Sequence, residues 1–96
     1  MTITRKGGYV KLERVRGYGW YLTKLWVDRE HRGKGVARML MRAVVRQCGD
    51  RPIYLLASSE YGTSLDFLYR FYGEYGFNFV PRPRSSDFPY NYNMVR

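Results

Sequence analysis

Apolar and polar side chains alternate along the first part of the chain. Residues Tyr9 to Val15 alternate over β-prone residue types, and Arg16 to Gly19 supply glycines that suit a turn. The next segment, Trp20 to Val27, is aromatic or branched nearly throughout. Such a run is typical of a strand buried on both faces near the centre of a sheet. The pattern therefore predicts a hairpin whose second arm is a central strand.

The hydrophobic period changes after a polar, glycine-containing loop from Asp28 to Gly35. Apolar residues then recur at helical spacing at Val36, Met39, Leu40, Ala43 and Val44. This spacing predicts a helix that ends near Gly49. The short apolar run from Pro52 to Ala57 predicts a strand parallel to Trp20–Val27, joined to it through the crossover helix.

The last third of the chain has weaker signals. Thr63 and Asp66 form a variant of a capping box, which predicts a helix to about Tyr75 with Gly76 as its left-handed stop. Extended structure is then expected over Phe77–Val80. Prolines forbid regular pairing in the stretch that follows, at Pro81, Pro83 and Pro89. Residues 90–95 are expected to return as an edge or hairpin strand.

Length and composition indicate one folded domain over residues 1–96. The apolar fraction is 45% and the aromatic fraction 18%, which argues against disorder. One Cys and one His exclude a disulfide scaffold and a typical zinc site, so no metal is expected. The sequence contains no apolar run of the ~20 residues that a bilayer span needs and no secretory signal pattern, so we expect a cytoplasmic protein without membrane contact.

The charge is strongly positive and uneven. The formal net charge is +9, and residues 1–51 hold 13 of the 17 basic side chains but only 4 acids. The candidate partners are nucleic acid, a phosphorylated cofactor and an acidic protein surface. Arg38, Arg42 and Arg46 recur every fourth residue and form either a solvated helix face or a ridge for an anion.

The segment Arg32–Ala37 lies where the predicted central strand leads into a helix. A helix start exposes unpaired N–H groups with partial positive charge, and glycines let a phosphate approach the backbone. The spacing fits neither the dinucleotide fingerprint nor the nucleotide-hydrolase loop. On local sequence alone, an anion-binding loop and an ordinary turn both remain open.

Two motifs resemble those of the GNAT superfamily of acyl-CoA-dependent N-acetyltransferases. Arg32, Gly35 and Ala37 fill its Gln/Arg-x-x-Gly-x-Gly/Ala loop, after a strand that ends in Val27. The segment from Tyr72 to Phe77 fills its Tyr-x-x-x-Gly-Phe signature. The similarity covers roughly residues 20–80.

The resemblance implies a compact α/β (α+β) fold, a GNAT-like mixed β-sheet with two main helices. The 27 residues before the loop leave no room for the two N-terminal helices that usually form a wall of the acceptor site. The chain is therefore most similar to truncated GNAT enzymes of phages, including anti-CRISPR-type acetyltransferases. Their Gly-Gly-Tyr start and Met-x-Arg-like ending have counterparts at residues 7–9 and 94–96.

The same resemblance implies a site for acetyl-CoA, the acetyl donor. Backbone groups of one strand segment would contact the pantetheine arm, at Leu25, Trp26 and Val27. The loop and helix start would hold the pyrophosphate, at Arg32, Gly33, Lys34, Gly35, Val36 and Ala37. Tyr72 would donate a proton to the departing thiolate, or it is simply an aromatic residue of the core.

The general base stays open at the level of sequence. A lysine amine with a pKa near 10.4 is about 3.4 units from its free form at neutral pH, a deficit of roughly 4.6 kcal/mol. Many relatives place a glutamate on the strand before the loop, and Trp20–Val27 has none. The candidates are Glu13, Asp28 and Glu60.

The leading hypothesis is an N-acetyltransferase that moves an acetyl group from acetyl-CoA to an amine, most simply a lysine of a host protein, as a phage counter-defence factor. One alternative is a non-catalytic basic module that binds nucleic acid or a nucleic-acid-handling protein. Another is a toxin that acetylates aminoacyl-tRNA. Acyl chain length and oligomeric state stay open.

Overall fold

The computed structural model describes residues 1–59, 63–81 and 87–96. This part of the chain forms one mixed sheet with two α-helices and a short 3₁₀ turn at Arg29–His31. The strands are β1 Thr2–Arg5, β2 Gly8–Val15, β3 Gly19–Val27, β4 Ile53–Leu55, β5 Asn78–Phe79 and β6 Met94–Val95. The helices are α1 Val36–Cys48 and α2 Leu65–Gly73.

The strands lie in the order β1-β2-β3-β4-β6-β5. β3 and β4 are parallel, joined through α1 as the sequence predicts, and the other neighbours are antiparallel. Residues 1–27 contain three strands and no helix. The predicted mixed sheet with two main helices and without N-terminal helices is therefore confirmed.

One face of the sheet, the helix face, packs against α1. It carries Val10, Leu12 and Leu22, which are buried with the core residues of α1. At Gly8 this packing is closest, since a Cβ there would lie 3.0 Å from Val36 and 2.5 Å from the carbonyl oxygen of Trp26. Any larger residue at Gly8 would therefore push α1 and β3 away from β2.

The opposite face, the open face, carries side chains that alternate with the core residues. Residues 88–92 cover its β3–β4 half through aromatic contacts with Tyr21 and Tyr54. We call this group the C-terminal aromatic cluster: Tyr18, Tyr21, Tyr54, Phe88, Tyr90 and Tyr92. The β1–β2 half of the open face has no such cover among the described residues.

Two sequence predictions about strands need correction, and one strand was not predicted. β3 is central but not buried on both faces: Leu22 is buried whereas Thr23 and Lys24 are exposed, because no helix among the described residues covers the open face. Of the two alternatives for residues 90–95, the hairpin strand holds, because β6 pairs antiparallel with β5, and the edge strand does not, because β6 lies between β4 and β5. β1 was not predicted, because its four residues are too few to show a period.

The helix predictions hold in outline with two changes. α1 ends at Gly49 with φ +58, as predicted, but Met41 is fully buried and Met39 is 48% exposed. The N-cap of α2 is Ser64 and not Thr63, because the Ser64 hydroxyl accepts a hydrogen bond from the Phe67 N–H at 3.1 Å. Gly76 takes the predicted left-handed conformation, φ +90. Among the described residues, none of the helices has the length and apolar character needed to cross a membrane.

Candidate active site

The centre of the sheet contains a gap between two parallel strands. β3 pairs with β4 only from Trp20 to Leu22 and then continues to Val27, whereas β4 ends at Leu55. Beyond Leu55, the chain that continues β4 is held by Asn93, on the side away from β3. The Asn93 carboxamide accepts from the Ala57 N–H at 2.7 Å and donates to the Ala57 carbonyl at 3.0 Å. Among the described residues, the last part of β3 therefore has no strand partner on the side of the gap.

The backbone N–H and C=O groups of successive β3 residues point alternately toward this gap and toward β2. The Asp28 N–H donates to the Gly7 carbonyl at 2.7 Å, which fixes the phase of the antiparallel ladder. Trp26 then pairs with Tyr9, and Leu25 and Val27 turn their N–H and C=O groups toward the gap. Of the three residues implied for the pantetheine arm, two thus present backbone groups to the gap. The Trp26 backbone faces β2 instead.

Arg32 anchors the loop after β3 to the end of that strand. Its Nε donates to the Val27 carbonyl at 3.2 Å, and its guanidinium lies 5.4 Å from the centre of the Trp26 ring. The Trp26 indole N–H donates to the Asp28 carboxylate at 3.2 Å. These contacts place the glycine-containing loop beside the gap.

The loop leads into α1 through two left-handed glycines. Gly33 and Gly35 have φ values of +78 and +81, and a Cβ at either would meet no heavy atom within 4 Å. Gly35 is the N-cap of α1 and supplies no side-chain cap, and the first turn has no acidic residue. The first N–H groups of α1, at Val36 and Ala37, are therefore open to an anion, and Lys34 adds an exposed cation.

His31 is half-buried against the turn between β1 and β2. Its ring lies against Gly7, where an added Cβ would be 2.5 Å from Cγ of His31, and its Nδ1 is buried without a hydrogen-bond partner. Asp28, Glu30 and His31 bring one possible ligand atom each within 4.8 Å of one another. The Asp28 carboxylate also accepts the hydrogen bond from the Trp26 indole N–H.

Tyr72 lies on α2 and joins the same core as α1. It is 8% exposed, with the Phe71 and Phe77 rings edge-on to it. Burial raises the pKa of Tyr72 to about 12, so the phenol is protonated at neutral pH. No described residue forms a hydrogen bond with its hydroxyl, which leaves the proton available to a bound molecule.

Glu13 lies on the open face opposite Tyr21, which still pairs with Tyr54 of β4 one residue before the β3–β4 pairing ends at Leu22. Its carboxylate accepts a hydrogen bond from the Tyr90 hydroxyl at 2.8 Å, and this bond raises the pKa of Tyr90. Asp28 lies at the other end of β3, beside the loop. Glu60 falls outside the described residues.

Sequence reasoning missed two residues that shape the site. Asn93 forms hydrogen bonds with Ala57, 36 positions away in the sequence, and Tyr90 forms one with Glu13, 77 positions away. No local period or spacing signals a contact between such distant positions. Gly8 was noted only as part of a motif, and its close approach to Val36 and Trp26 appears only in three dimensions.

Comparisons with known proteins agree with this geometry. A family model described as the acetyltransferase (GNAT) family matches residues 6–77. No curated protein sequence matches.

Solved structures with similar folds extend the comparison. The structure of the anti-CRISPR protein AcrVA5 superposes with a TM-score of 0.69 at 22% identity, over 100% of this chain and 96% of that one. A GNAT-family acetyltransferase from Staphylococcus aureus Mu50 gives 0.69 at 25% identity, over 92% and 56%. Arabidopsis thaliana Naa50, in complex with the bisubstrate analogue CoA-Ac-MVNAL, gives 0.63 at 20% identity, over 94% and 64%. The chain thus spans less than two thirds of the last two proteins.

Proposed function

The chain belongs to the acetyltransferase (GNAT) family, and we propose that it transfers an acetyl group from acetyl-CoA to a primary amine, a lysine side chain of a protein. The observation that carries the proposal is the continuity of two features. The gap beside Leu25 and Val27 leads directly into the glycine loop at the start of α1. An extended molecule with a pyrophosphate at one end and a thioester at the other fits this path.

The loop is suited to bind the pyrophosphate. Gly33 and Gly35 leave open space beside the backbone, and the unpaired N–H groups of Val36 and Ala37 point out of the helix start. Arg32 holds this loop on β3 through the Val27 carbonyl, and exposed Lys34 supplies charge. We assign binding of acetyl-CoA to these residues.

The strand residues are suited to orient the reacting group. Bound acetyl-CoA supplies the acetyl thioester. The N–H groups of Leu25 and Val27 face the gap and offer donors for the oxygen that becomes negative when an amine attacks, usually the largest catalytic contribution in acyl transfer. Such donors are fixed by the β2–β3 ladder and need no rearrangement.

Tyr72 and Glu13 are the proposed acid and base. The Tyr72 phenol keeps its proton at neutral pH and donates to the departing thiolate. Glu13 is the preferred base because its exposed carboxylate lies on the open face, opposite Tyr21 and one residue before the β3–β4 pairing ends. Asp28 and Glu60 remain the alternatives.

The acceptor is proposed to be a macromolecule because residues 1–27 form no helix over the open face. The likeness to AcrVA5, described as an anti-CRISPR protein, supports a counter-defence role. Naa50 bound to an analogue that carries a peptide, MVNAL, supports a peptide acceptor. Acetylation would remove the lysine's charge and any phosphate contact that depends on it.

The test is incubation with isotopically labelled acetyl-CoA and a bacterial lysate, followed by separate digestion of protein and RNA. We expect label on lysine residues of protein. Label on RNA alone would favour an aminoacyl-tRNA acetylating toxin. Label on neither, together with no heat of acetyl-CoA binding in calorimetry, would favour a non-catalytic basic module.

A further inference from the structure

The uncovered half of the open face carries a row of alternating lysine and aromatic side chains. Tyr9 lies opposite Trp26, and Lys11 lies opposite Lys24, so the four side chains share this face. We call them the lysine–aromatic stripe. Both lysines are exposed, whereas Tyr9 and Trp26 are half-buried.

The lysines of the stripe are held in place by the rings. The Lys11 and Lys24 ammonium groups lie 5.6 and 5.9 Å from the centre of the Tyr9 ring, and Lys24 also lies 5.4 Å from the Trp26 ring. Cation–π contacts of this kind restrict long side chains that otherwise lose entropy when they bind. Two positive charges are therefore partly preorganised on a flat surface.

Acidic residues are scarce around the stripe. Residues 1–27 contain six basic residues and one acid, Glu13, whose carboxylate accepts the Tyr90 hydroxyl. The next acid along the chain, Asp28, lies directly after β3, and its carboxylate accepts a hydrogen bond from the Trp26 indole N–H. The ammonium groups of Lys11 and Lys24 thus form a positively charged surface, and a negatively charged partner would complement it.

The rings favour carboxylates over nucleobases as that complement. Single-stranded nucleic acid binds by stacking bases on free aromatic faces. Here Tyr9 carries two ammonium groups over its ring, and Trp26 carries Lys24 and Arg32, the latter also at 5.4 Å. A base could stack only by displacing these cations, whereas an acidic side chain would pair with them as they stand.

We propose that the lysine–aromatic stripe docks an acidic polypeptide segment next to the acceptor lysine. The proposal rests on the acetyltransferase function proposed above. Lys24 and Trp26 alternate along β3 with Leu25 and Val27, whose backbone N–H and C=O groups face the gap, so a segment docked on the stripe runs along the strand that borders the gap. Acidic flanking residues also offset the repulsion between a lysine substrate and a protein of charge +9.

The experiment compares three short peptides that share one central lysine and differ in flanking residues, which are acidic, neutral or basic. Acetylation is measured as kcat/KM, and binding is measured separately by tryptophan fluorescence of the protein loaded with CoA. The variants are Lys11→Gln, Lys24→Gln and the double variant. Arg51→Gln, an exposed position between α1 and β4, removes the same charge away from the stripe and is the matched control.

We expect the acidic peptide to bind and react best. Each lysine substitution should lower its affinity and kcat/KM by about three- to fivefold, and the double variant by about tenfold, as for exposed ion pairs, with the effect shrinking at high salt. The neutral peptide and the Arg51→Gln protein should change little.

Two results would overturn the docking proposal: equal binding of acidic and neutral peptides, or unchanged binding of the acidic peptide to the double variant. Single-stranded RNA that binds the wild-type protein more tightly than the acidic peptide, and loses that binding in the double variant, would assign the surface to nucleic acid. Lysine-dependent binding of the acidic peptide without acetyl transfer would leave the docking surface standing and refute the proposed enzyme function instead.

Discussion

The Glu13 carboxylate and the Tyr90 hydroxyl form a 2.8 Å hydrogen bond between the middle of the sheet and the C-terminal aromatic cluster. This bond fixes an exposed carboxylate on β2, opposite the part of β3 that still pairs with β4. It also ties residues 88–92 to the half of the open face that they cover. The candidate base therefore has a definite orientation although it is exposed to water.

Replacing Glu13 tests its assignment as base. Glu13→Gln keeps the shape and a hydrogen-bonding oxygen but cannot take up a proton, so kcat/KM for a lysine peptide should fall about 100-fold. Tyr90→Phe breaks the hydrogen bond but keeps the Glu13 carboxylate, so it should lower kcat/KM by less than about tenfold. A Glu13→Gln enzyme as fast as wild type would move the role to Asp28 or Glu60.

A charge at Gly35 should abolish acetyl-CoA binding. Gly35→Glu places a negative side chain in the open space beside the α1 start, and calorimetry should show at least about a 100-fold loss of affinity from charge and obstruction together. Gly17→Glu is a close control, because Gly17 has φ +85, equally open surroundings and lies at the far end of β3. Both variants carry the same backbone strain. Equal affinity in the two proteins would refute the assigned anion site.

Tyr72→Phe should lower turnover without weakening CoA binding. Only the phenolic hydroxyl is lost, and the ring remains to pack against Phe71 and Phe77. A fall in kcat of about 100-fold is expected for loss of a general acid. Tyr69→Phe, on the same helix, controls for removal of a hydroxyl from α2. If the two variants turn over equally, Tyr72 is a core residue and no more.

Tyr72 should also affect stability at alkaline pH. Its folded pKa of about 12 is raised above the ordinary value of 10.0, so its contribution is complete below pH 10 and is lost as pH rises toward 12. The two-unit difference corresponds to about 3 kcal/mol. In urea unfolding across this pH range, the free energy of unfolding should decline less steeply with pH for Tyr72→Phe than for wild type. Parallel declines would mean that the phenol is not the group responsible.

Asn93→Ala should destabilise the wall of the gap. The variant removes both hydrogen bonds to Ala57 and leaves that buried backbone without partners, which should lower the free energy of unfolding by about 1–3 kcal/mol. Asn91→Ala is the control, since its backbone carbonyl still accepts the Tyr21 hydroxyl. Matching urea midpoints for the two variants would contradict a structural role for Asn93.

Local sequence patterns predicted most of the secondary structure, because each element is defined by neighbours in sequence. Alternation indicated β2, a branched run indicated β3 and helical spacing indicated α1. The error at Met39 has a simple cause: the row Leu40, Val44, Cys48 forms the centre of the buried stripe, and Met41 flanks it while Met39 lies beyond.

The site was predicted in part. The two motifs indicated the loop, the strand end and Tyr72, since each of these is a short segment. The orientation of individual backbone groups could not be predicted, because it depends on ladder phase, which the Asp28–Gly7 hydrogen bond fixes. The cation–π contacts of Lys24 with Tyr9 and Trp26 depend on the register of β2 against β3.

The insertion of β6 between β4 and β5 has a consequence for folding kinetics. β1, β2 and β3 are joined by short turns and are expected to form early, whereas β4 gains its second neighbour only when residues 94–95 return to it. Until then, Asn93 cannot hold Ala57, and the gap lacks one side. In stopped-flow refolding, we therefore expect the ability to bind acetyl-CoA to appear with the slowest phase. Most of the circular-dichroism signal of the β-sheet should develop before that phase.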